Sequence, residues 1–455
     1  CERGGGGGRG ANGGRSIEKG MAASAKGKRG PHGPKWRSDA ATATLNDGVQ
    51  ETGEDGGRPE ANSNPAKAME QEKELEGRFA KDTSNLDVAF ELLSILIVRY
   101  RLNRSDEILD EIESRCVKEP FYKLRFHQSK AFVRYKQARY ADCFKEFEQQ
   151  ENLIAQGVAG APPGRDGDGF CNSIALNENI GHCLSSMNRL EDAEKRFTAA
   201  LRLMDLQGAK DDKSDIGGIL VGLGLVKDRL GDAEGAVSVL QAAVTHYRKV
   251  HGEDGSTLIA KALTSLGRCK ELIDKLDQAG EHFEEAVRIF EKRAGKGPLL
   301  AGALGHLGKN QLKRQMFKSA TASLFSAVEL EVQKDALDLN LIWELIEALK
   351  TCWIGLLNTK KAYAEPAAEL GKRAAEMAMA KTPNDWKHHN GDLDSNIHGT
   401  TALIYMLGGE FAFAARDFDR ARVHLEKAVA IFLRIRGFEC GSFLEACKKL
   451  QAALP

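Results

Sequence analysis

The sequence lacks the features that mark several large classes of protein. Lys plus Arg and Asp plus Glu each number 65, so the formal net charge is zero and nothing in the overall charge favours a nucleic-acid partner. The nine cysteines form no C-x-x-C pair and no short Cys/His cluster of zinc spacing, which is typical of reduced thiols in the cytoplasm. The most apolar run, residues 95–98, is bounded by Glu91 and Arg99, far short of the ~20 residues that span a membrane. We therefore predict no membrane span, metal or cofactor.

Strand signals are also scarce, and the chain divides by composition. Residues 1–65 are rich in Gly and poor in large apolar residues, and the first forty hold nine Lys/Arg against three Asp/Glu. Such a segment is predicted to be a disordered basic tail. Two interpretations of residues 21–60 remain: a transit peptide for import into an organelle, or a featureless tail of a cytoplasmic protein. Residues 66–84 are predicted to be a charged linker or an exposed helix, and residues 85–436 to be helical throughout.

One spacing of residues recurs along the helical part. Gly267, Ala279, Phe283 and Ala286 follow one another at intervals of twelve, four and three. The same intervals separate Gly181, Ala193, Phe197, Ala200; Gly224, Ala236, Leu240, Ala243; and Gly308, Ala320, Leu324, Ala327. Weaker copies begin at Ala131, Gly355 and Gly409, and a further one is possible in residues 87–116. Self-similarity at a period of 43, 43 and 41 residues indicates a repeat architecture.

This pattern resembles the tetratricopeptide repeat, a pair of helices with small residues where they cross. The period is similar to the roughly 42-residue repeats of kinesin light chain, in which a Gly-Glu/Pro-Asp-His-Pro turn precedes the first helix. Gly252, Glu253 and Asp254 match that turn, while Gly255 and Ser256 stand in place of His-Pro. The resemblance implies an all-α fold, a right-handed α-solenoid of seven to eight helix-turn-helix repeats.

Contact distance explains the residue types in the repeat. Two helices cross closely only where side chains are small, so the Gly and Ala positions are predicted to set the crossing within each pair. The large residues, such as Phe197 and Phe283, are predicted to fill the space between neighbouring pairs. Residues 437–455 carry apolar residues at helical spacing and are predicted to be a capping helix, with a partner-binding or dimerising helix as the alternative.

The predicted site is the concave groove that the first helices of stacked pairs would line. The residues one, four and five places after each small residue face this groove, and the candidates for partner binding are His182, Arg229, Arg268, Glu271, Lys309 and Lys313. The cations among them favour an acidic peptide. The alternative is that they are solvated helix charges.

Other segments carry weaker signals. Asp166 and Asp168 lie in a Gly-rich break, residues 155–170, that lacks the oxygen ligands of a calcium loop, and the stretch 217–226 lacks the preceding strand of a dinucleotide site. A loop with His388, His389, Asp392, Asp394 and His398 is interpreted as polar rather than metal-binding. No spacing links a nucleophile to a base, so the chain is predicted to be a protein-interaction adaptor or scaffold, in its most specific form a kinesin-light-chain-like cargo adaptor, and not an enzyme. The alternative is a structural subunit or assembly factor of an organelle complex.

Overall fold

The computed structural model describes residues 65–157, 173–206, 216–294, 297–334, 337–382, 395–435 and 441–454. The predicted tail, residues 1–64, lies outside these ranges. The described chain separates into two units, one ending at His306 and the other beginning at Leu307. Within the described ranges no β-strand occurs, which confirms the all-α prediction, and no helix is long and apolar enough to cross a membrane.

The first unit is a succession of helices that pack in pairs. Its helices are α1 Pro65–Lys81, α2 Leu86–Val98, α3 Leu102–Cys116, α4 Pro120–Lys136, α5 Tyr140–Ala155, α6 Ser173–Ser186, α7 Leu190–Leu206, α8 Ile216–Leu230, α9 Ala233–His251, α10 Thr257–Leu272 and α11 Leu276–Arg293. The next helix, α12 Pro298–Lys313, begins in this unit and ends in the second. The first helix of each pair (α2, α4, α6, α8, α10) is called the A helix below, and the second (α3, α5, α7, α9, α11) the B helix.

The second unit continues the alternation. Its helices are α13 Phe317–Glu331, α14 Leu339–Thr359, a 3-10 turn Lys361–Tyr363, α15 Ala364–Lys381, α16 Ser395–Ala414, α17 Phe418–Phe432 and α18 Gly441–Ala452. Here α12, α14 and α16 are A helices, and α13, α15 and α17 are B helices.

The turn from A helix to B helix is nearly the same in seven pairs. One residue of each turn has a left-handed backbone: Tyr100, Ala138, Asn188, Gly231, Asp274, Gln315 and Arg416. The residue after it donates its N–H to the carbonyl five places back, as Lys275 does to Lys270 at 2.9 Å. This is the Schellman ending of a helix, which usually places glycine at the left-handed position. Only Gly231 follows that preference, so the other six turns hold a residue with a side chain in a conformation that costs about 1 kcal/mol.

The glycines of the repeat lie where the predicted close approach occurs. A Cβ atom added at Gly181, Gly224 or Gly267 would lie 2.9, 2.6 and 2.7 Å from Phe197, Leu240 and Phe283. Each of these large residues is sixteen places later, on the B helix of the same pair, and is fully buried. The prediction that tiny side chains let the helices nest is confirmed, but the large residue covers the glycine of its own pair.

Phe197 shows how neighbouring pairs are also joined. A Cβ atom at Gly222, on the A helix of the next pair, would lie 2.6 Å from the same ring. The ring therefore fills the space between Gly181 and Gly222, and it contacts His182 edge-on at 5.0 Å between centroids. Phe283 similarly stacks on His306 of α12, with centroids 5.7 Å apart. Each such ring buries apolar surface in two pairs at once, so a pair depends on its neighbour for stability.

The pair α14 and α15 departs from the pattern. Gly371 stands where the other repeats have a large residue, so α15 has no side chain there to cover Gly355. The ring of Phe317 from α13 covers Gly355 instead, and the ring of Phe411 from α16 covers Gly371. Aromatic rings of the preceding and following helices thus supply the volume that α15 lacks.

The two ends of the described chain are helical. In α1, Leu75 and Phe79 are buried, 3% and 2% exposed, so the segment predicted as a linker or exposed helix has one face packed against the chain. In α18, Cys447 and Leu450 are buried and Phe443 stacks on Phe432 of α17. Helix α18 therefore covers the apolar face of the last pair in the second unit, as expected of a cap.

The segment that resembles the kinesin light chain turn joins α9 to α10. Asp254 Oδ2 accepts hydrogen bonds from Arg288 at 2.7 Å and Lys292 at 3.3 Å, and its carbonyl accepts from Arg293 Nε at 2.8 Å. A Cβ atom at Gly255 would collide with the His251 carbonyl, and Ser256 accepts from the N–H of Leu258. The residues that replace His-Pro therefore serve a tight turn and a helix cap.

Candidate functional site

His182 lies one place after Gly181 on α6, and it is almost fully buried. Its side chain is 10% exposed, with Nε2 3.9 Å from Glu178 Oε1 one turn earlier. The ring packs against the edge of Phe197. Buried imidazole in contact with an aromatic ring contributes mainly to packing, so His182 presents little surface to a partner.

Arg229 on α8 reaches back to the preceding A helix. Nη1 donates to the carbonyl and the hydroxyl of Ser185 at 2.7 and 2.9 Å, and Nη2 donates to Asn188 Oδ1 at 3.0 Å. All three acceptors are neutral, and the residue is exposed. Arg229 therefore links two A helices while its positive charge faces solvent.

Arg268 on α10 makes the next link along the same unit. Its Nη2 lies 3.5 Å from Asp228 Oδ2 on α8, and the two side chains are 31% and 9% exposed. Burial raises the pKa of the Asp228 carboxyl, and the nearby Arg268 and Arg229 oppose that rise only in part. The charge of Arg268 is thus matched by a carboxylate whose ionised form is poorly solvated.

Glu271 and Leu272 lie four and five places after Gly267. Glu271 is half-buried, whereas the Leu272 side chain is 66% exposed. Leu272 follows Glu271 and lies one helical turn after Arg268, so this face of α10 carries both apolar and charged groups. We call Arg229, Arg268, Glu271 and Leu272 the A-helix surface of the first unit.

Lys309 and Lys313 belong to the second unit. Lys309 Nζ lies 2.7 Å from Glu344 Oε2 of α14, the next A helix, and Lys313 is exposed. A similar pair joins the following A helices, since Lys350 Nζ lies 2.7 Å from Glu410 Oε2 and the carboxylate is only 10% exposed. In this unit too, a charged side chain of one A helix forms an ion pair with a side chain of the next A helix.

Within each unit, polar side chains of successive A helices contact one another. Tyr135 and Ser186 hydrogen-bond across α4 and α6 at 3.1 Å, continuing the links made by Arg229 and Arg268. Charge-assisted bonds of this kind fix helix register and side-chain orientation. Two of the predicted cations, Arg268 and Lys309, therefore pair with carboxylates on a neighbouring A helix, whereas the hydrogen bonds of Arg229 described above go to neutral acceptors.

The remaining candidate segments contribute less. Stretch 217–226 forms part of α8, where Gly217, Gly222 and Gly224 lie against Tyr247, Phe197 and Leu240; its glycines serve packing. His398 is buried, and the other four residues of its cluster, with Asp166 and Asp168, lie outside the described residues. Among the described residues no group of three potential ligands is placed to hold a metal ion.

A cavity of about 290 Å³ beside the α12–α13 turn is lined by Gln315, Phe317 and Leu356, among others.

Comparison with known proteins agrees with this geometry. Residues 215–292 match the family model of the tetratricopeptide repeat. Over 116 residues the chain is 29% identical to Protein KINESIN LIGHT CHAIN-RELATED 2 of Arabidopsis thaliana, and the match covers 26% of this chain and 17% of that protein.

Solved structures share the fold at low sequence identity. The apo form of the quorum sensor NprR from B. thuringiensis has a TM-score of 0.50 at 13% identity, covering 86% of this chain and 99% of that one. The apo form of RapI has a TM-score of 0.51 at 11% identity, covering 81% and 96%. The residues that match the tetratricopeptide repeat model, 215–292, contain the A-helix surface, and the helix pairs around them have the same paired-helix arrangement.

Proposed function

We propose that this protein is a non-enzymatic adaptor whose A-helix surface in the first unit binds a peptide or helix of a partner protein. The observation that carries the proposal is the exposure of Leu272, 66% accessible, on helices whose arginines, Arg229 and Arg268, are held by contacts with the preceding A helix. A surface held in one arrangement before binding loses little side-chain entropy when a partner docks.

The chemistry of the surface suggests what it binds. Leu272 offers apolar area, and Arg229, hydrogen-bonded only to neutral acceptors in the contacts described above, offers a charge for a carboxylate. We therefore expect an apolar side chain next to an acidic one in the bound segment. The match to the kinesin light chain-related protein supports cargo linkage as the more specific form of this function. We propose the cytoplasm as its location.

A single pair of matched substitutions tests the site. Leu272→Ser removes the exposed apolar side chain of the A-helix surface, and Leu206→Ser makes the same change at an 82% exposed leucine at the end of a B helix. Burial of one leucine is worth about 1.5–3 kcal/mol, so Leu272→Ser should weaken partner binding by roughly 10- to 100-fold. Leu206→Ser should leave it unchanged.

The measurement has two stages. Proteins retained by the immobilised full chain are identified by mass spectrometry, and the affinity of the recovered partner segment is then measured by calorimetry with the wild type and both variants. Circular dichroism checks that the variants keep their helix content. Equal affinities for Leu272→Ser and the wild type would show that binding takes place elsewhere.

A further inference from the structure

Two cysteine side chains meet at the boundary between two helix pairs of the first unit. Cys143 lies on α5, the B helix of one pair, and Cys183 lies on α6, the A helix of the next. Both are fully buried and belong to the same apolar cluster. They are forty positions apart in sequence, so only the stacking of the pairs brings them together.

The hydrogen bonds locate the two sulfur atoms. Cys183 Sγ donates to the carbonyl oxygen of Tyr140 at 3.2 Å, and Tyr140 lies one helical turn before Cys143 on α5. Cys143 lies close enough to Cys183 for the neighbouring thiol to raise its pKa. The thiol of α6 therefore lies against the first turn of α5, the turn that carries Cys143.

The remaining described cysteines differ from this pair. Cys116, Cys269, Cys352 and Cys447 are also buried. Burial raises the pKa of each of these thiols, and no second cysteine contributes to that rise. A disulfide joins two sulfur atoms about 2 Å apart, so two neighbouring thiols on facing helices are the arrangement from which one can form.

We propose that Cys143 and Cys183 form an oxidation site, which a peroxide closes into a disulfide between the two helix pairs. One thiol loses its proton and attacks the peroxide, the O–O bond breaks, and a sulfenic acid and water (or an alcohol) result. The second thiol attacks the sulfenic sulfur, the S–OH bond breaks, and a disulfide and a second water form. Two electrons pass from the thiols to the peroxide, and both thiol protons end in the released products.

Burial controls how readily this reaction occurs. The neighbouring Cys183 thiol and the apolar surroundings raise the pKa of Cys143, so the reactive thiolate is scarce while the interface is closed. Oxidation should therefore proceed through openings of the α5–α6 interface. Once formed, the bond would limit those openings and restrain the unfolded chain, which typically stabilises a protein.

The test uses the full chain in its reduced form, treated with hydrogen peroxide. Unreacted thiols are blocked with iodoacetamide in denaturant, and a digest prepared without reductant is analysed by mass spectrometry. We expect a peptide pair joined through Cys143 and Cys183, lighter than the two reduced peptides by ~2 Da and separated by dithiothreitol. The oxidised protein should melt about 5 °C or more above the reduced protein.

Matched variants identify the pair. Cys269→Ser removes another buried thiol and should leave the joined peptides unchanged, whereas Cys143→Ser and Cys183→Ser should each abolish them and leave the remaining thiol open to alkylation or to further oxidation. If a serine variant does not fold, the wild-type peptide map still decides the question. Links that join Cys143 or Cys183 to other cysteines, or oxidation of Cys143 without a link to Cys183, would overturn the proposal.

Discussion

Gly267 is the position at which the packing of the repeat can be tested most directly. A Cβ atom there would lie 2.7 Å from Cε1 of Phe283 and 2.9 Å from its Cζ, whereas carbon atoms in ordinary contact are about 3.5–4.0 Å apart. Phe283 is fully buried and stacked on His306, so the ring has little room to withdraw. Gly267→Ala therefore forces either the ring or the two helices to move apart.

The expected change in the free energy of unfolding is the sum of two opposed effects. Overpacking of a core by one methyl group costs roughly 1–3 kcal/mol, and replacement of a helical glycine by alanine gains about 1 kcal/mol. We expect Gly267→Ala to destabilise the chain by about 0–2 kcal/mol. The matched substitution Gly302→Ala in α12, where a Cβ atom would have no neighbour within 4 Å, should stabilise it by about 0.5–1 kcal/mol.

Thermal melting followed by circular dichroism, with hydrogen exchange of the amides of α10 and α11, measures both effects. Phe283→Ala in the Gly267→Ala background provides a further check, because it removes the ring atoms that the new methyl group would meet, and the two substitutions should be less destabilising together than their sum. The reasoning would be refuted if Gly267→Ala raised the melting temperature as much as Gly302→Ala, or if the double variant showed simple additivity. Gly267→Leu adds three more carbon atoms and should be far more disruptive.

Three other predictions follow from buried charge and from the turns. Because burial raises the pKa of Asp228, its ionised form opposes folding above the unfolded-state pKa; Asp228→Asn should keep or raise stability at pH 7, and the difference should shrink as the pH falls through the folded-state pKa. Ala138 has a left-handed backbone, so Ala138→Gly should raise the free energy of unfolding by about 1 kcal/mol and Gly231→Ala should lower it by a similar amount. Asp254→Ala removes the acceptor that pins the α9–α10 turn, so hydrogen exchange should rise in residues 252–256 and stay unchanged in α4.

Each of these predictions has a contradictory outcome. Denaturant titration at pH 3 and pH 7 would show a clear loss of stability for Asp228→Asn at pH 7 if its ion pair with Arg268 outweighed burial. Melting midpoints that move in the same direction for Ala138→Gly and Gly231→Ala would mean that the left-handed turn carries no strain. Unchanged exchange after Asp254→Ala, measured by mass spectrometry, would mean that other contacts hold the turn.

The repeat and its close helix crossings could be predicted because they depend on residue size at fixed spacing. Gly181 and Phe197, or Gly224 and Leu240, are separated by the same sixteen positions in every strong copy, so the pattern is visible without coordinates. The coverage of Gly355 and Gly371 by aromatic rings of neighbouring pairs was not predictable in this way. It depends on Phe317 and Phe411, which lie outside the pair they complete.

The repeat predicts where the candidate residues lie on the A helices but not what their side chains contact, and their role in binding stays a prediction. The A-helix positions of Arg229 and Arg268 follow from the repeat, but their acceptors lie about forty residues away and depend on side-chain conformation. The spacing therefore predicts a more basic groove than the structure has, because contacts with carboxylates neutralise part of the positive charge. The burial of His182 follows from Phe197 and Gly222, which close around it from two different pairs.

In six of the seven turns the left-handed residue lies seven positions after the small residue of its A helix, as Asn188 does after Gly181 and Asp274 after Gly267. One inserted residue between them would rotate everything that follows by about 100° around the helix axis, moving the apolar stripe of the B helix away from its partner. The chain varies instead in the segments that connect one hairpin to the next, which run from three residues after α3 to seventeen after α5. A foreign loop or label should accordingly be tolerated between hairpins, and a single added residue within one should not.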